Sequence, residues 1–360
     1  MPPTSPAPLL LSVFPTFAMG GAQMRFTTIA NQLGDRFRHA IIAMNGEHAA
    51  AARLAASLSV SRPEVGIRKG DMAGNVRRFT RLLRQVRPHA LVTHNWGSIE
   101  WAPAARLAGI RHIHIEDGFG PEEGQRQLRR RVWTRRLLLR RATVVVPSRT
   151  LHAIATGIWR LPQVRYIPNG IDLAAFAAAP ARGEIPVIGT VAALRPEKNL
   201  GRLLHAFQRA AASRPARLVI AGDGPARTGL EALAGELGIA DRVRFAGYVA
   251  RPQTLYPGFD IVALSSDTEQ MPMAVLEAMA AGLPVAATDV GDIRAMVAAE
   301  NATYLTRLDP AALGDALGAL LDDPALRARL GAANRARAEQ EYDQAAMVAA
   351  YEALYRGPLA

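Results

Sequence analysis

Ser265-Ser266-Asp267-Thr268-Glu269-Gln270-Met271-Pro272-Met273-Ala274-Val275-Leu276-Glu277-Ala278-Met279-Ala280-Ala281-Gly282-Leu283-Pro284 changes its hydrophobic pattern twice. Just before it, Asp260-Ile261-Val262-Ala263-Leu264 is a short apolar run of β-compatible residues, and at its end Pro284-Val285-Ala286-Ala287 is another. The spacing between them predicts a helix from about Pro272 to Ala280. Pro272 suits a first helical turn, where a missing N–H loses nothing. Gly282 followed by Pro284 suits a helix stop. Strand, turn, helix and strand make a βαβ unit.

The chemistry of this unit sits at its turn. Glu269 stands at the carboxyl end of the first strand, and Glu277 lies eight residues on, inside the helix. Both acids flank a helix N-terminus, whose free N–H groups attract anions. Among Met273, Val275, Leu276 and Met279, a carboxylate needs a hydrogen-bonding partner. A ligand hydroxyl is one such partner; the backbone or a neighbouring arginine is another.

At 360 residues the chain is long enough for two domains with sizeable cores. Its 49% hydrophobic and 21% charged residues are ordinary for a soluble globular protein. No apolar run approaches the roughly 18 residues that span a bilayer. Met1 to Pro8 has no basic segment, and Leu9 to Val13 is short for a signal-peptide core, so it reads as a first strand. The absence of cysteine excludes disulfide and thiol chemistry and fits a cytoplasmic location.

Charge is unevenly distributed. Residues 1–170 carry 25 Lys and Arg against 9 Asp and Glu, whereas residues 171–360 carry 18 against 22. Arg126, Arg129, Arg130, Arg131, Arg135, Arg136, Arg140 and Arg141 crowd one segment. With Leu128, Val132, Trp133, Leu137, Leu138 and Leu139 they read as a basic amphipathic helix, suited to an anionic membrane surface. A solvated helix with an ordinary core face is the blander reading. No recognisable nucleic-acid-binding motif accompanies the charge, so no nucleic-acid partner is expected.

In the first half, Leu9–Val13 leads through a loop to Gly20-Gly21, which opens a helix running to about Leu33. Two glycines at a strand-to-helix junction let backbone approach a phosphate. The pattern lacks the three-glycine fingerprint of dinucleotide dehydrogenases. A strand at Ala40 to Met44, helices near Glu47 to Leu58 and from about Ala73 to Val86, and a strand at Ala90 to Thr93 follow. Next come a helix from Ser98 to Ala108 and the strand Arg111 to Ile115. His94, His114, Glu116 and Asp117 fall at neighbouring strand ends, where open α/β sheets bind ligands. Their spacing matches no strong metal motif. Asp117 reads either as a polar group at a reacting centre or as a loop cap.

The second half restarts the alternation after Pro168-Asn169-Gly170-Ile171-Asp172 and an alanine-rich linker, Ala174 to Gly183. Pro186 to Val191 is a strand, and its loop carries Arg195 and Lys198 into a helix from Leu200 to Ala212. Cations there suit a diphosphate, or are simply solvated. Arg217 to Ala221 runs into Gly222-Asp223-Gly224-Pro225, and Val243 to Val249 is a further strand and loop. Helices fill Pro310 to about Gln340, and Gln344 to Tyr355 is amphipathic.

Glu-x7-Glu, continuing through Glu277-Ala278-Met279-Ala280-Ala281-Gly282-Leu283-Pro284-Val285-Ala286-Ala287-Thr288, resembles the signature of the retaining glycosyltransferases of family four, which have the GT-B fold. Gly20-Gly21 resembles the glycine loop of that family's amino-terminal domain. Pro168-Asn169-Gly170-Ile171-Asp172 resembles its domain-junction hallmark, and Gly222-Asp223-Gly224-Pro225 another hallmark. Val243 to Val249 resembles the strand and loop that read the nucleotide base. Ala192 to Lys198 is similar to the family's Gly-Arg-Leu-x-Pro-Glu-Lys, with Lys198 matched, Ala193 in place of the arginine, and Arg195 two residues on. His114 to Gly118 resembles a strand ending in His-Gly, with Asp117 in place of the histidine. Gln270-Met271 replaces the usual Gly-Phe.

The resemblance implies an α/β chain of two Rossmann-like domains facing across a cleft. Residues 1–172 would bind the acceptor and residues 173–342 the nucleotide sugar, with residues 343–360 a helix packing back on the first domain. It implies retaining transfer from a nucleotide-diphosphate sugar, without metal or other cofactor. Asp117, Glu269, Arg195 and Lys198 would stand at the reacting centre. Gly20, Gly21, Gly222, Val249, Gln270, Met271, Pro272, Met273 and Glu277 would surround the donor. The acceptor would be a saccharide or lipid-linked saccharide in bacterial polysaccharide or lipopolysaccharide assembly, met in the cytoplasm at the inner face of the membrane. The departures keep open a non-catalytic nucleotide-sugar-binding subunit.

Overall fold

Apolar runs with little alternation, such as Leu9–Phe14 and Ile261–Leu264, form strands buried on both faces, as parallel sheets covered by helices require. The computed structural model describes residues 6–119, 123, 127–176 and 183–357. Gly120, Pro121 and Glu122 after the His114 strand, Arg126 of the arginine-rich segment, and residues 177–182 of the linker lie outside the described residues. The chain divides into two compact units, Met1–Pro168 with Met347–Ala360, and Asn169–Ala346.

In the first unit the order is β1 Leu9–Phe14, α1 Gly21–Leu33, β2 Arg38–Ala43, β3 Val60–Ser61, α2 Met72–Val86, β4 Ala90–His94 and α3 Trp101–Ala108. β5 His112–Ile115, α4 Arg129–Leu138, β6 Thr143–Val146, α5 Arg149–Ala153 and β7 Val164–Tyr166 follow. The sheet runs β3-β2-β1-β4-β5-β6-β7, and its strands pair in parallel. The helix expected near Glu47 to Leu58 is instead a short 3-10 segment, Ala49–Arg53. Its alanines favour helix but offer little apolar area to bury. Backbone bonds from Phe17 to Glu47 and from Ala50 to Phe17 tie the segment to the loop after β1 instead.

α4 departs further from expectation. Val132, Leu138 and Leu139 pack inward, but so does Arg135, which is fully buried. Trp133 and Leu137 point the other way, 66% and 77% exposed. The helix is therefore not a basic face over an apolar one. One arginine is taken into the core because two buried acids receive it there.

The second unit holds β8 Val187–Val191, α6 Leu200–Ala210, β9 Arg217–Ala221, α7 Arg227–Glu236, β10 Val243–Gly247 and β11 Ile261–Leu264. α8 Met273–Ala280, β12 Val285–Thr288, α9 Ile293–Met296, β13 Leu305–Thr306, α10 Pro310–Asp322 and α11 Pro324–Glu341 complete it. Its sheet is β10-β9-β8-β11-β12-β13, again parallel. α12, Gln344–Arg356, follows, and its Met347, Tyr351 and Tyr355 join Leu10, Ile29 and Phe37 in a core cluster of the first unit.

Strand order reverses at β1/β4 in one sheet and at β8/β11 in the other. The carboxyl ends of the strands at such a reversal are where open α/β sheets receive ligands.

Candidate active site

In the second unit, the loops after β8 and β11 meet at the switch point. Lys198 Nζ donates to Glu269 Oε1 at 2.5 Å, and Ser266 Oγ donates to the same oxygen at 2.7 Å. Ser265 Oγ bonds the carbonyl of Lys198 at 3.0 Å. Arg202 braces both loops: its Nη2 lies 2.7 Å from Asp267 Oδ1, and its Nη1 donates to the Ser265 carbonyl at 2.7 Å. Lys198 and Glu269, both expected at the reacting centre, are joined by the structure as an ion pair. Arg195, by contrast, is exposed in the same loop, and its side chain has no partner among the described residues.

The segment after Glu269 is pinned from behind. Asp292 N–H donates to the Gln270 carbonyl at 3.0 Å, and a Cβ on Gly291 would stand 2.2 Å from the Glu269 carbonyl. The Met271 side chain is buried in the core, and Asn169 Nδ2 bonds its carbonyl at 3.3 Å. Met271 therefore offers a ligand its backbone. Pro272 is the N-cap residue of α8, which begins at Met273, one position later than the expected start at Pro272. Met273 and Ala274 carry first-turn N–H groups with no carbonyl of their own helix to bond.

Glu277 is half-buried in α8, and Tyr256 OH donates to its Oε2 at 2.6 Å. Burial raises the Glu277 carboxyl to about 7, and the hydrogen bond from Tyr256 only partly offsets this. The tyrosine itself is held well above its ordinary range by burial and by Glu277. Its ring packs edge-on against Phe176 and Phe259, centroids 5.4 and 5.6 Å away. Sequence reasoning missed Tyr256, because Leu255-Tyr256-Pro257-Gly258 reads as a mere turn; the only signal was an aromatic residue just before a buried strand. Changing Tyr256 to Phe removes a donor that favours the charged carboxylate. The Glu277 pKa should then rise by up to about one unit, with stability falling by about 1 kcal/mol. A pH titration of donor binding checks this; a midpoint that does not move would reduce Tyr256 to packing.

Gly222 is required by close approach. Its φ is 141°, and a Cβ there would lie 1.8 Å from the Ala192 carbonyl. The turn after β9 thus packs on the loop that carries Arg195, and Leu194 N–H bonds the Asp223 carbonyl at 3.0 Å. Val249 is half-buried just past β10.

In the first unit, Asp117 Oδ1 lies 2.5 Å from Arg25 Nη2 of α1, and Asn95 Oδ1 accepts the Asp117 N–H at 2.7 Å. Asp117 Oδ2 is buried without a partner among the described residues. His94 stacks on Phe14, centroids 3.8 Å apart, with both ring nitrogens unpartnered, and burial holds it neutral with its pKa well below the ordinary range. Gly20 and Gly21 open α1. A Cβ at Gly21 would meet nothing within 4 Å, and one at Gly20 only the flexible end of Gln23, so packing within this unit demands neither glycine.

His114 and Glu116 do not join this group. They point into a separate buried network: Thr93 Oγ1 lies 2.7 Å from His112 Nε2 and 2.8 Å from His114 Nδ1, and His114 Nε2 lies 3.6 Å from Glu116. Arg135 Nε reaches Glu116 at 3.3 Å, and its two terminal nitrogens reach Glu123 at 3.2 and 3.1 Å. The two strand ends thus supply one set around Asp117 and Arg25 and another around Arg135 in the core. Among the described residues, no group of three or more His, Asp or Glu is arranged to hold a metal ion.

A sequence profile described as Glycosyl transferases group 1 matches residues 174–337, and one described as Glycosyltransferase Family 4 matches residues 19–175. The chain is similar to the GDP-mannose-dependent monoacylated alpha-(1-6)-phosphatidylinositol monomannoside mannosyltransferase of Corynebacterium glutamicum, with 29% identity over 269 residues, 68% of each chain. The D-inositol 3-phosphate glycosyltransferase of Xylanimonas cellulosilytica is 27% identical over 329 residues, 79% of this chain and 78% of that one. Among solved structures, Anabaena Alr3699/HepE in complex with UDP superposes with a TM-score of 0.80 at 20% identity, over 95% of this chain and 98% of that chain. Two parallel sheets with matching switch points, and profiles that together run from residue 19 to 337, lead to one conclusion: the chain belongs to the group 1 glycosyltransferases and has the GT-B fold.

Proposed function

We propose that the protein transfers a sugar, with retention of anomeric configuration, from a nucleotide-diphosphate sugar to a saccharide or lipid-linked saccharide acceptor. The observation that carries this reading is the pair of acids around the start of α8: Glu269 held by Lys198 and Ser266, and Glu277 held by Tyr256. Glu277 accepts hydrogen bonds from the ribose hydroxyls. Glu269 and the amides of Gln270, Met271, Met273 and Ala274 hold the sugar. Arg195 and Lys198 stabilise the charge that develops on the departing diphosphate; in the first unit, the open Gly20-Gly21 turn offers backbone suited to a phosphate. Charge stabilisation of this preorganised kind is often the largest catalytic contribution.

The bond from the anomeric carbon to the diphosphate breaks, and its electron pair leaves with the diphosphate. The acceptor oxygen bonds to the same face of that carbon. The O–H bond of the acceptor breaks as this bond forms: in the first unit, Asp117 keeps Oδ1 on Arg25, and its Oδ2 takes the hydroxyl proton. The names of the relatives support a nucleotide-diphosphate donor, since one is GDP-mannose-dependent and one solved neighbour holds UDP-glucose. The basic first half supports an acceptor met at an anionic membrane surface, in bacterial polysaccharide or lipopolysaccharide assembly.

A panel of UDP-, GDP- and ADP-sugars with saccharide acceptors tests the reading. One donor should turn over with retained configuration by NMR, and Glu277→Ala should abolish that turnover. An inverted product would overturn retention. Gly21→Val should fold with unchanged stability, because open space surrounds that position, yet lower donor affinity by about tenfold or more. The smaller donor-induced rise in melting temperature reports this loss.

A further inference from the structure

The outer face of α4 and the groove below it form a surface that the transfer chemistry does not use. Trp133 and Leu137 stand one helical turn apart and are 66% and 77% exposed; nearby Ile158 is 46% exposed. Arg136 binds them into one patch: its guanidinium stacks over the Trp133 ring at 4.8 Å, while its Nε donates to the Ile158 carbonyl at 2.9 Å. Arg129, Arg130, Arg140 and Arg141 are exposed on or beside the same helix.

Leu137 also lines a groove of about 1390 Å³ within the first unit. Arg106, Arg111, Arg140, Arg141 and Arg165 line it too, and no acidic side chain does among the described residues. Arg111 bonds the Leu354 and Tyr355 carbonyls at the end of α12. Arg106, Arg140, Arg141 and Arg165 have no acidic partner among the described residues. The groove includes His112 and Thr143, at the amino ends of β5 and β6, so it lies at the opposite edge of the sheet from Asp117 and His94. It is a second place, separate from the carboxyl-end site proposed for substrate.

Exposed tryptophan and leucine in a ring of unpaired arginines suit a bilayer interface: the apolar pair enters the headgroup boundary and the guanidiniums meet lipid phosphates. Soluble surfaces rarely leave such side chains out together without a partner. Arginine forks match phosphate oxygens in pairs. The geometry points to this face docking on an anionic phospholipid membrane, with Trp133, Leu137 and Ile158 inserted and the Arg106–Arg140–Arg141–Arg165 groove holding lipid headgroups. This deepens the membrane-borne reaction proposed above and rests on it only for its purpose.

The test measures binding without donor or acceptor, so its failure leaves the transfer reading untouched. The full chain is sedimented with vesicles of phosphatidylcholine alone and of phosphatidylcholine with phosphatidylglycerol. Binding should need the anionic lipid and be released by salt. Tryptophan emission should shift to the blue on binding, because Trp101 and Trp159 are fully buried, Trp96 is half-buried, and Trp133 alone is highly exposed. Trp133→Ser with Leu137→Ser should remove that shift. Arg140→Glu with Arg141→Glu should lower the bound fraction by roughly tenfold or more. Inorganic phosphate at matched ionic strength should not displace the vesicles. Equal binding to neutral vesicles, wild-type binding by both double variants, or displacement by phosphate beyond the ionic-strength effect would each overturn the assignment; the last would make the groove a small-anion site.

Discussion

Replacing Arg135 by Met should lower stability by roughly 3–5 kcal/mol, far more than the loss of any surface arginine. Arg135 is fully buried between Glu116 and Glu123, with its guanidinium 5.0, 5.4 and 4.7 Å from the rings of Trp96, Phe119 and Trp159. Burial alone would raise the Glu123 carboxyl, but the bonds from Arg135 and Arg131 prevail and hold it below the ordinary range. Without Arg135, Glu123 keeps Arg131, whereas Glu116, whose Oε1 has no partner among the described residues, is left buried with only His114 Nε2, 3.6 Å away.

The sign of the pH dependence follows. In the wild type, the depressed Glu123 gives stability above its unfolded pKa that is lost in acid. Removing the Arg135 bonds weakens that depression, so the gap between the proteins narrows at low pH. Urea melts at about pH 5 and pH 8 measure it, and a gap of constant size would exclude buried charge as the cause. Adding Glu116→Leu to Arg135→Met should restore the larger part of the loss, because an unpaired charge is worse than an apolar pair.

That network also marks where the sequence stops being legible. Eight arginines crowd residues 126–141, and nothing in their spacing distinguishes Arg135 from the rest. What singles it out is a pair of acids brought near by the turn after β5, a tertiary fact. Trp133 and Leu137 fit an apolar face by period but lie outside, because the inner face was already filled by Val132, Arg135 and Leu139. By contrast the strands, the turn at Glu269 and α8 were readable, since a buried parallel strand and a proline-started helix have strong local patterns. The pairing of Lys198 with Glu269 was not, because it joins residues 71 apart through the strand order β8-β11. Tyr256 was hidden for the same reason: its hydroxyl answers a carboxylate on a helix that the sequence gives no cause to place above it.

Glu277→Gln should reduce kcat/KM for the nucleotide-sugar donor by about 10² to 10⁴, the second of the two largest effects. A carboxylate receiving two ribose hydroxyls makes two charge-assisted bonds, each contributing roughly 1.5–3 kcal/mol. The amide keeps the shape but loses the charge, and its NH₂ faces hydroxyl donors. Folding should respond in the opposite sense. With its pKa raised to about 7, the wild-type carboxyl stabilises the folded protein below its unfolded pKa, and that contribution is lost as pH climbs to about 7. Donor binding requires the ionised form, so donor affinity should increase with pH across the same range, while unliganded stability falls. Bound ribose hydroxyls favour the charged carboxylate, so saturating donor should move the titration to lower pH. Glu277→Gln should flatten both profiles. A wild-type donor affinity independent of pH between about 6 and 8, or a Gln variant with the wild-type profile, would show that Glu277 does not hold the donor and that its bond to Tyr256 is only a feature of the core.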